Sequence, residues 1–153
     1  MKKLLFIAAM LLSISSTFAQ TTYKWDGNPG VAFKVKRCYV INSQCIIDFV
    51  MTNNTGTDIP SIYCTGATAY DDEGNKYEWI SGSISQKSNF GGGLFGIGNG
   101  TISVPNDIAV KGQIIIPKID EFAVEIRSLI LGFYVPGWNN TLDVRNIPIT
   151  RDN

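Results

Sequence analysis

The chain has 153 residues, 44% of them hydrophobic, with 13 basic and 13 acidic side chains and no histidine. Without an imidazole, Ser-His-Asp and Cys-His catalysis and histidine-ligated zinc are excluded. The balanced charge leaves no basic footprint for nucleic acid, and the length suits a single domain.

Met1-Lys2-Lys3 reads as the charged start of a secretory signal, and Leu4 to Leu12 as its apolar centre, too short to span a bilayer. Thr17-Phe18-Ala19 places small residues three back and one back from a cut before Gln20. The expected organisation is therefore a signal peptide over 1–19 and one domain over 20–153. The short signal and its Ala-Gln junction resemble those of Gram-negative bacteria. No cysteine follows the cut, so a lipoprotein anchor is not expected, and no later stretch is long enough for a transmembrane segment. The expected location is periplasmic or extracellular. Lys2 and Lys3 leave with the signal, which makes the mature chain slightly acidic.

Glu is scarce and Asn, Thr, Gly, Ile and Val are plentiful, a composition that favours strands joined by turns. Gln20 to Gly30 reads as a loosely tied arm. Val31 to Ile41 is a strand with Phe33, Val35, Tyr39 and Ile41 on one face and Lys34, Lys36, Cys38 and Val40 on the other. Asn42-Ser43 turns the chain into a second strand, Gln44 to Thr52, which places Ile46 and Val50 on the face of Phe33 and Val35. Ser61 to Tyr70 follows Pro60, a residue suited to the start of a strand. Asp71 to Asn75 is a turn and Lys76 to Ile80 the returning strand. Ser81 to Gly100 reads as a long, glycine-rich connection. Thr101 to Val104 and Ala109 to Ile116 are strands. Phe122 to Phe133 fits a helical face as well as alternation; the β-rich surroundings favour a strand from about Glu125 to Val135, after a helical turn at Asp120 to Ala123. Pro136-Gly137 breaks it, and Leu142 to Ile149 closes the domain. Seven to eight antiparallel strands in one domain predict an all-β sandwich.

The run Asp48 to Asn53, then Gly56-Thr57-Asp58-Ile59, then Tyr70-Asp71-Asp72-Glu73-Gly74-Asn75-Lys76-Tyr77 resembles a group of exported bacterial immunoglobulin-like domains of unknown function. Their pattern is a strand ending in Thr-Asn, a polar loop, a strand, and Asp-x-x-Gly-Asn-x-Tyr. Val104-Pro105 and Ile114 to Ile116 continue it, so the resemblance spans about Phe33 to Ile149. It implies an immunoglobulin-like antiparallel β-sandwich serving as a binding or structural module. It carries over no catalytic residue.

Three cysteines, Cys38, Cys45 and Cys64, cannot all pair. With the turn at Asn42-Ser43, Cys45 lies opposite Val40 and diagonal to Cys38. Diagonal neighbours usually sit beyond disulfide reach, within about 7 Å between Cα atoms. One Cys38–Cys45 bridge and three buried thiols are thus alternatives. No Cys-x-x-Cys spacing supports a metal site.

Gly91-Gly92-Gly93-Leu94-Phe95-Gly96 matches Gly-x-Gly-x-x-Gly by letter but lacks the flanking strand and helix of a nucleotide site. Its apolar residues suggest a different role. Phe90, Leu94, Phe95 and Ile97 form a candidate finger for docking a protein partner, or they fold back onto the sandwich. Trp138, Asn139 and Asn140 follow Pro136-Gly137 and form a candidate sugar platform; the competing reading is a ring that covers one end of the core. Asp71, Asp72, Glu73 and Asn75 carry calcium-type oxygens, but turn chemistry accounts for them. Asp48 is the one acid placed unusually, inside a strand, and no pair of acids suits glycoside hydrolysis. Asn53-Asn54-Thr55, Asn99-Gly100-Thr101 and Asn139-Asn140-Thr141 match the glycosylation acceptor. The expected protein is a non-catalytic exported module without catalytic residues, metal or cofactor. It recognises a protein in the envelope or outside the cell, with a possible glycan as the alternative ligand.

Overall fold

The computed structural model describes the backbone of residues 22–25, 28–85, 87–90, 102–135 and 137–151, and the side chains of 30–85, 102–135, 137 and 141–151. The signal segment over 1–19 lies outside the described residues. No helix among those residues is long and apolar enough to cross a membrane.

Eleven strands are present among the described residues, all in antiparallel ladders. They are β1 (Thr22–Trp25), β2 (Asn28–Ile41), β3 (Gln44–Asn53), β4 (Ile59–Asp71), β5 (Lys76–Tyr77), β6 (Ser81–Ile84), β7 (Lys87–Phe90), β8 (Ile102–Val104), β9 (Ala109–Ile116), β10 (Glu125–Val135) and β11 (Trp138–Pro148). A six-stranded sheet runs β1-β2-β3-β9-β6-β7, and a second runs β11-β10-β4-β5, with β8 pairing the start of β4. Buried residues of both sheets form one continuous core. Phe33, Phe49, Ile47 and Ile114 come from the larger sheet, and Ile62, Leu129, Leu131 and Phe133 from the smaller.

The turns follow from their residues. Asn42 and Ser43 both take positive φ, 49° and 64°, the mirror-image geometry that matches the twist of a two-residue hairpin. Gly137 takes φ 92° between β10 and β11, a conformation that L side chains rarely adopt.

Several expectations are corrected. The arm at Gln20 to Gly30 contains β1, an edge strand paired with β2, and β2 itself begins at Asn28. The expected connection over 81–100 contains two short strands, β6 and β7; serine and glycine disguise them because their partners in the sheet, rather than their own propensities, hold them. These and β1 raise the strand count above seven to eight. No helical turn forms at Asp120 to Ala123; a single hydrogen bond from Ala123 N to Asp120 O, 3.3 Å, closes a turn there. Trp138, Asn139 and Asn140 open β11 instead of sitting in a loop, because Val135 at the end of β10 pairs with Trp138.

The faces of β2 are also corrected. The register shifts between Val35 and Arg37, a bulge that inserts Lys36. Val31, Phe33 and Val35 point inward before it, and Cys38 and Val40 after it. Tyr39 and Ile41 therefore face outward, and Ile41 is 50% exposed. The same shift pairs Phe33 with Met51 and Val35 with Phe49, so Cys45, Ile47, Phe49 and Met51 fill the core while Ile46 and Val50 lie on the other face.

Both ends of the sandwich are tied by side chains. At one end Asn53, fully buried, donates through Nδ2 to the carbonyls of Thr57 (2.8 Å) and Val104 (2.9 Å). Its Oδ1 accepts from Thr55 N and Oγ1. At the other end Asp71 accepts from Tyr77 OH (2.6 Å) and from Asn75 N and Nδ2. Tyr77 OH in turn accepts from Asp120 N at 3.1 Å. Asp72 Oδ1 accepts from Val124 N and Glu125 N. The tail after β11 crosses to the larger sheet: Thr150 N donates to Cys38 O and Val40 N donates to Thr150 O. Arg151 Nη2 donates to Asp120 O at 2.7 Å.

Candidate functional site

The outer face of the larger sheet carries a charged strip built by strand register. Arg37 on β2 lies opposite Asp48 on β3, Asp48 opposite Gln113 on β9, and Gln113 opposite Ser83 on β6. Four polar side chains from four strands thus form one row. Asp48 is its centre: one carboxylate oxygen takes the Arg37 Nε hydrogen, and the other accepts from Gln113 Nε2 at 2.9 Å. The Arg37 guanidinium also stands 4.7 Å from the centre of the Tyr39 ring. The hydrogen bond to Asp48 and its negative charge raise the Arg37 pKa above its ordinary value, so the cation is permanent.

The next row holds Lys34, Val50 and Lys111, and the bulge adds Lys36. The face therefore carries four cations, Lys34, Lys36, Arg37 and Lys111, against one acid among its described residues. An open cavity of about 650 Å³ lies over this strip, lined by Lys36, Arg37, Asp48, Ser83, Lys111 and Gln113. Its floor is closely packed. The Phe49 ring packs against Gly112 from the core side and stacks on Phe33, with centroids 4.5 Å apart. A Cβ on Gly112 would sit 2.1 Å from Phe49 Cζ. The arrangement suits holding an anionic group by charge and by the donors of the row.

The smaller sheet offers a different outer face. Tyr63 and Tyr134 stack at 4.8 Å, and Asn139 is paired with Tyr134 in the ladder. Near them Gly66 and Gly132 face each other. Asp143 accepts from Ser128 Oγ and Arg145 Nε.

Among the sequence candidates, Leu94, Phe95 and Ile97 lie outside the described residues. Phe90 ends β7, paired with Gly82 at the edge of the larger sheet, and its side chain is outside the described set. The side chains of Trp138, Asn139 and Asn140 are likewise outside it. Asp71 and Asp72 accept hydrogen bonds from the chain's own donors, as turn chemistry predicts. Burial opposes ionisation of Asp71, but hydrogen bonds from Tyr77 and Asn75 outweigh it and hold its pKa below the usual carboxylate value. At Asn53 both amide hydrogens are committed and the side chain is buried, so a glycan there is incompatible with this fold. Sequence reasoning singled out Asp48 but missed Arg37, Gln113, Lys36 and Lys111. Gln113 and Lys111 reach this face only through the pairing of strands far apart in the chain, and Lys36 and Arg37 only through the bulge in β2, neither of which a local pattern carries.

No family model matches the chain, and no curated protein matches it. Among solved structures, a family 123 glycoside hydrolase from Clostridium perfringens, described for glycolipid glycan hydrolysis, is similar over 74% of this chain at 12% identity and a TM-score of 0.42. The similar region spans 22% of that hydrolase chain.

Proposed function

We propose that the chain is a non-catalytic binding module, exported by its N-terminal signal to the periplasm or beyond, and related to the immunoglobulin-like domains it resembles. Its ligand is an acidic segment of an envelope or extracellular protein, and it docks on the outer face of the larger sheet. The observation that carries this reading is the segregation of Lys34, Lys36, Arg37 and Lys111 around one acid, over a closely packed floor, in a chain with no net excess of basic charge. Asp48 is clamped by Arg37 and Gln113, which supports a positioning role over acid–base chemistry. The candidates Leu94, Phe95 and Ile97 follow β7 in the chain, and β7 is an edge strand of this same sheet.

The test is affinity capture from envelope and culture fractions at low and raised salt, followed by reconstitution with the purified partner. Three baits are compared: the native chain, Lys36→Glu/Lys111→Glu, and a chain with Phe90 to Asn99 replaced by a Gly-Ser turn. An acidic partner that binds the native chain, weakens at least tenfold with salt and is lost on charge reversal fits the reading. A partner indifferent to both changes refutes it.

A carbohydrate-binding module is the second reading. The stacked Tyr63–Tyr134 pair, in register with Asn139, supports it. Glycan binding lost in Tyr134→Ala and Trp138→Ala, and kept in the charge-reversal chain, would favour it over the first.

A further inference from the structure

We propose that Cys38 and Cys45 are a modification site: under oxidising conditions they close into a disulfide across the β2–β3 hairpin, while Cys64 stays a free thiol. The two Sγ atoms lie 3.2 Å apart. Both residues are fully buried and face the same way after the Lys36 bulge. About 1 Å of further approach gives a covalent S–S distance. The register alone argues against this pairing, because Cys38 is opposite Ile47 and Cys45 opposite Val40. The right-handed twist of a paired ribbon resolves the conflict, since it shortens one of the two diagonals across a strand pair. Cys64 has no such neighbour. It sits on β4 in the other sheet, and its thiol donates to Gly66 O at 3.2 Å.

The chemistry is thiol–disulfide exchange with a small-molecule or protein disulfide. One cysteine thiolate attacks the oxidant and releases one of its sulfurs as a thiol. The second cysteine then attacks the mixed disulfide and releases the other. The chain loses two protons and two electrons, and the oxidant is reduced to two thiols. In the folded chain Cys38 is a poor nucleophile, because the hydrogen bond to Cys45 and burial raise its pKa far above that of a free thiol, and both sulfurs are shielded from an oxidant by burial. Closure therefore belongs to folding, after the hairpin forms and before the second sheet covers it. In the cell this rests on the export reading, since only an exported chain folds under oxidising conditions; refolding in vitro tests the pairing independently.

The full chain is unfolded in urea and refolded in a buffer of reduced and oxidised glutathione. It is then denatured, labelled with N-ethylmaleimide and weighed. One label per chain is expected, located on Cys64 by fragmentation of the tryptic peptide 38–76, which contains all three cysteines. Cys64→Ala should take no label and Cys38→Ala two. The bridged protein should melt about 5–10 °C above the reduced one. Three labels on the native sequence, or a bridge that includes Cys64, would overturn the proposal. Should Cys38→Ala fail to refold, the label count and position in the native sequence decide alone.

Discussion

Asn53 makes four hydrogen bonds from a buried position, two as donor and two as acceptor. Asn53→Ala removes them and strands the Val104 carbonyl, a loss of about 1–3 kcal/mol. Asn53→Asp is expected to cost more, about 3–5 kcal/mol near pH 7, because an acceptor then faces two carbonyl oxygens and carries a buried charge. Urea unfolding of the two variants checks the order, and equal losses would contradict it. At the opposite end, burial and then the hydrogen bond to Asp71 push the Tyr77 hydroxyl up to about 12. The unfolded chain ionises this group near pH 10. The stabilisation is therefore complete below pH 10 and lost as pH rises toward 12. Tyr77→Phe should be less stable than the native chain at pH 8 and converge on it between pH 10 and 12. A constant gap across that range in paired denaturation curves would refute this. Asp71 works in the other direction: its lowered pKa makes its contribution present above about pH 4 and lost as pH falls further.

The β2–β3 hairpin shows how one inserted residue governs an element. The phase of β2 reverses at Lys36, so apolar residues on both sides of it reach the core. Deleting Lys36 leaves plain alternation in which Val31, Phe33, Val35, Cys38 and Val40 all stay on the core face and the pairing to β3 is continuous. Lys36→Ala should cost less than about 0.5 kcal/mol, and the deletion should keep cooperative unfolding with the core intact; a loss of more than about 4 kcal/mol on deletion would contradict this reading of the bulge. Thermal unfolding of both proteins tests this. The same element marks the boundary of what sequence reveals. Asn42-Ser43 and Gly137 announced their turns because their backbone conformations suit those residues, and the limits of β10 followed from its alternation in β-rich surroundings. The bulge was invisible because Lys36 and Arg37 are both polar, so the pattern gave no sign of the slip. β6 and β7 were invisible because serine and glycine say little about strands whose stability comes from neighbours.

Across the whole molecule, the all-β character was legible from composition and turn spacing, whereas the charged strip was not. Asp48 and Gln113 are 65 residues apart and meet only when β9 pairs with β3. Charge is also distributed by face: the basic strip lies outside the larger sheet, while Asp71, Asp72 and Asp120 gather at the end closed by the 117–124 connection. The tail at Ile149 to Arg151 joins these regions, leaving the smaller sheet and bonding to β2 in the larger one and to the connection between the sheets. It has a mechanical consequence. Tension applied to the chain near Arg151 is shared at once between Cys38 and Val40 in one layer and Asp120 and Val124 beside the other. The load cannot peel β11 from its neighbour one bond at a time; it must first break a fastening that spans both layers, so the sandwich resists traction as a single body.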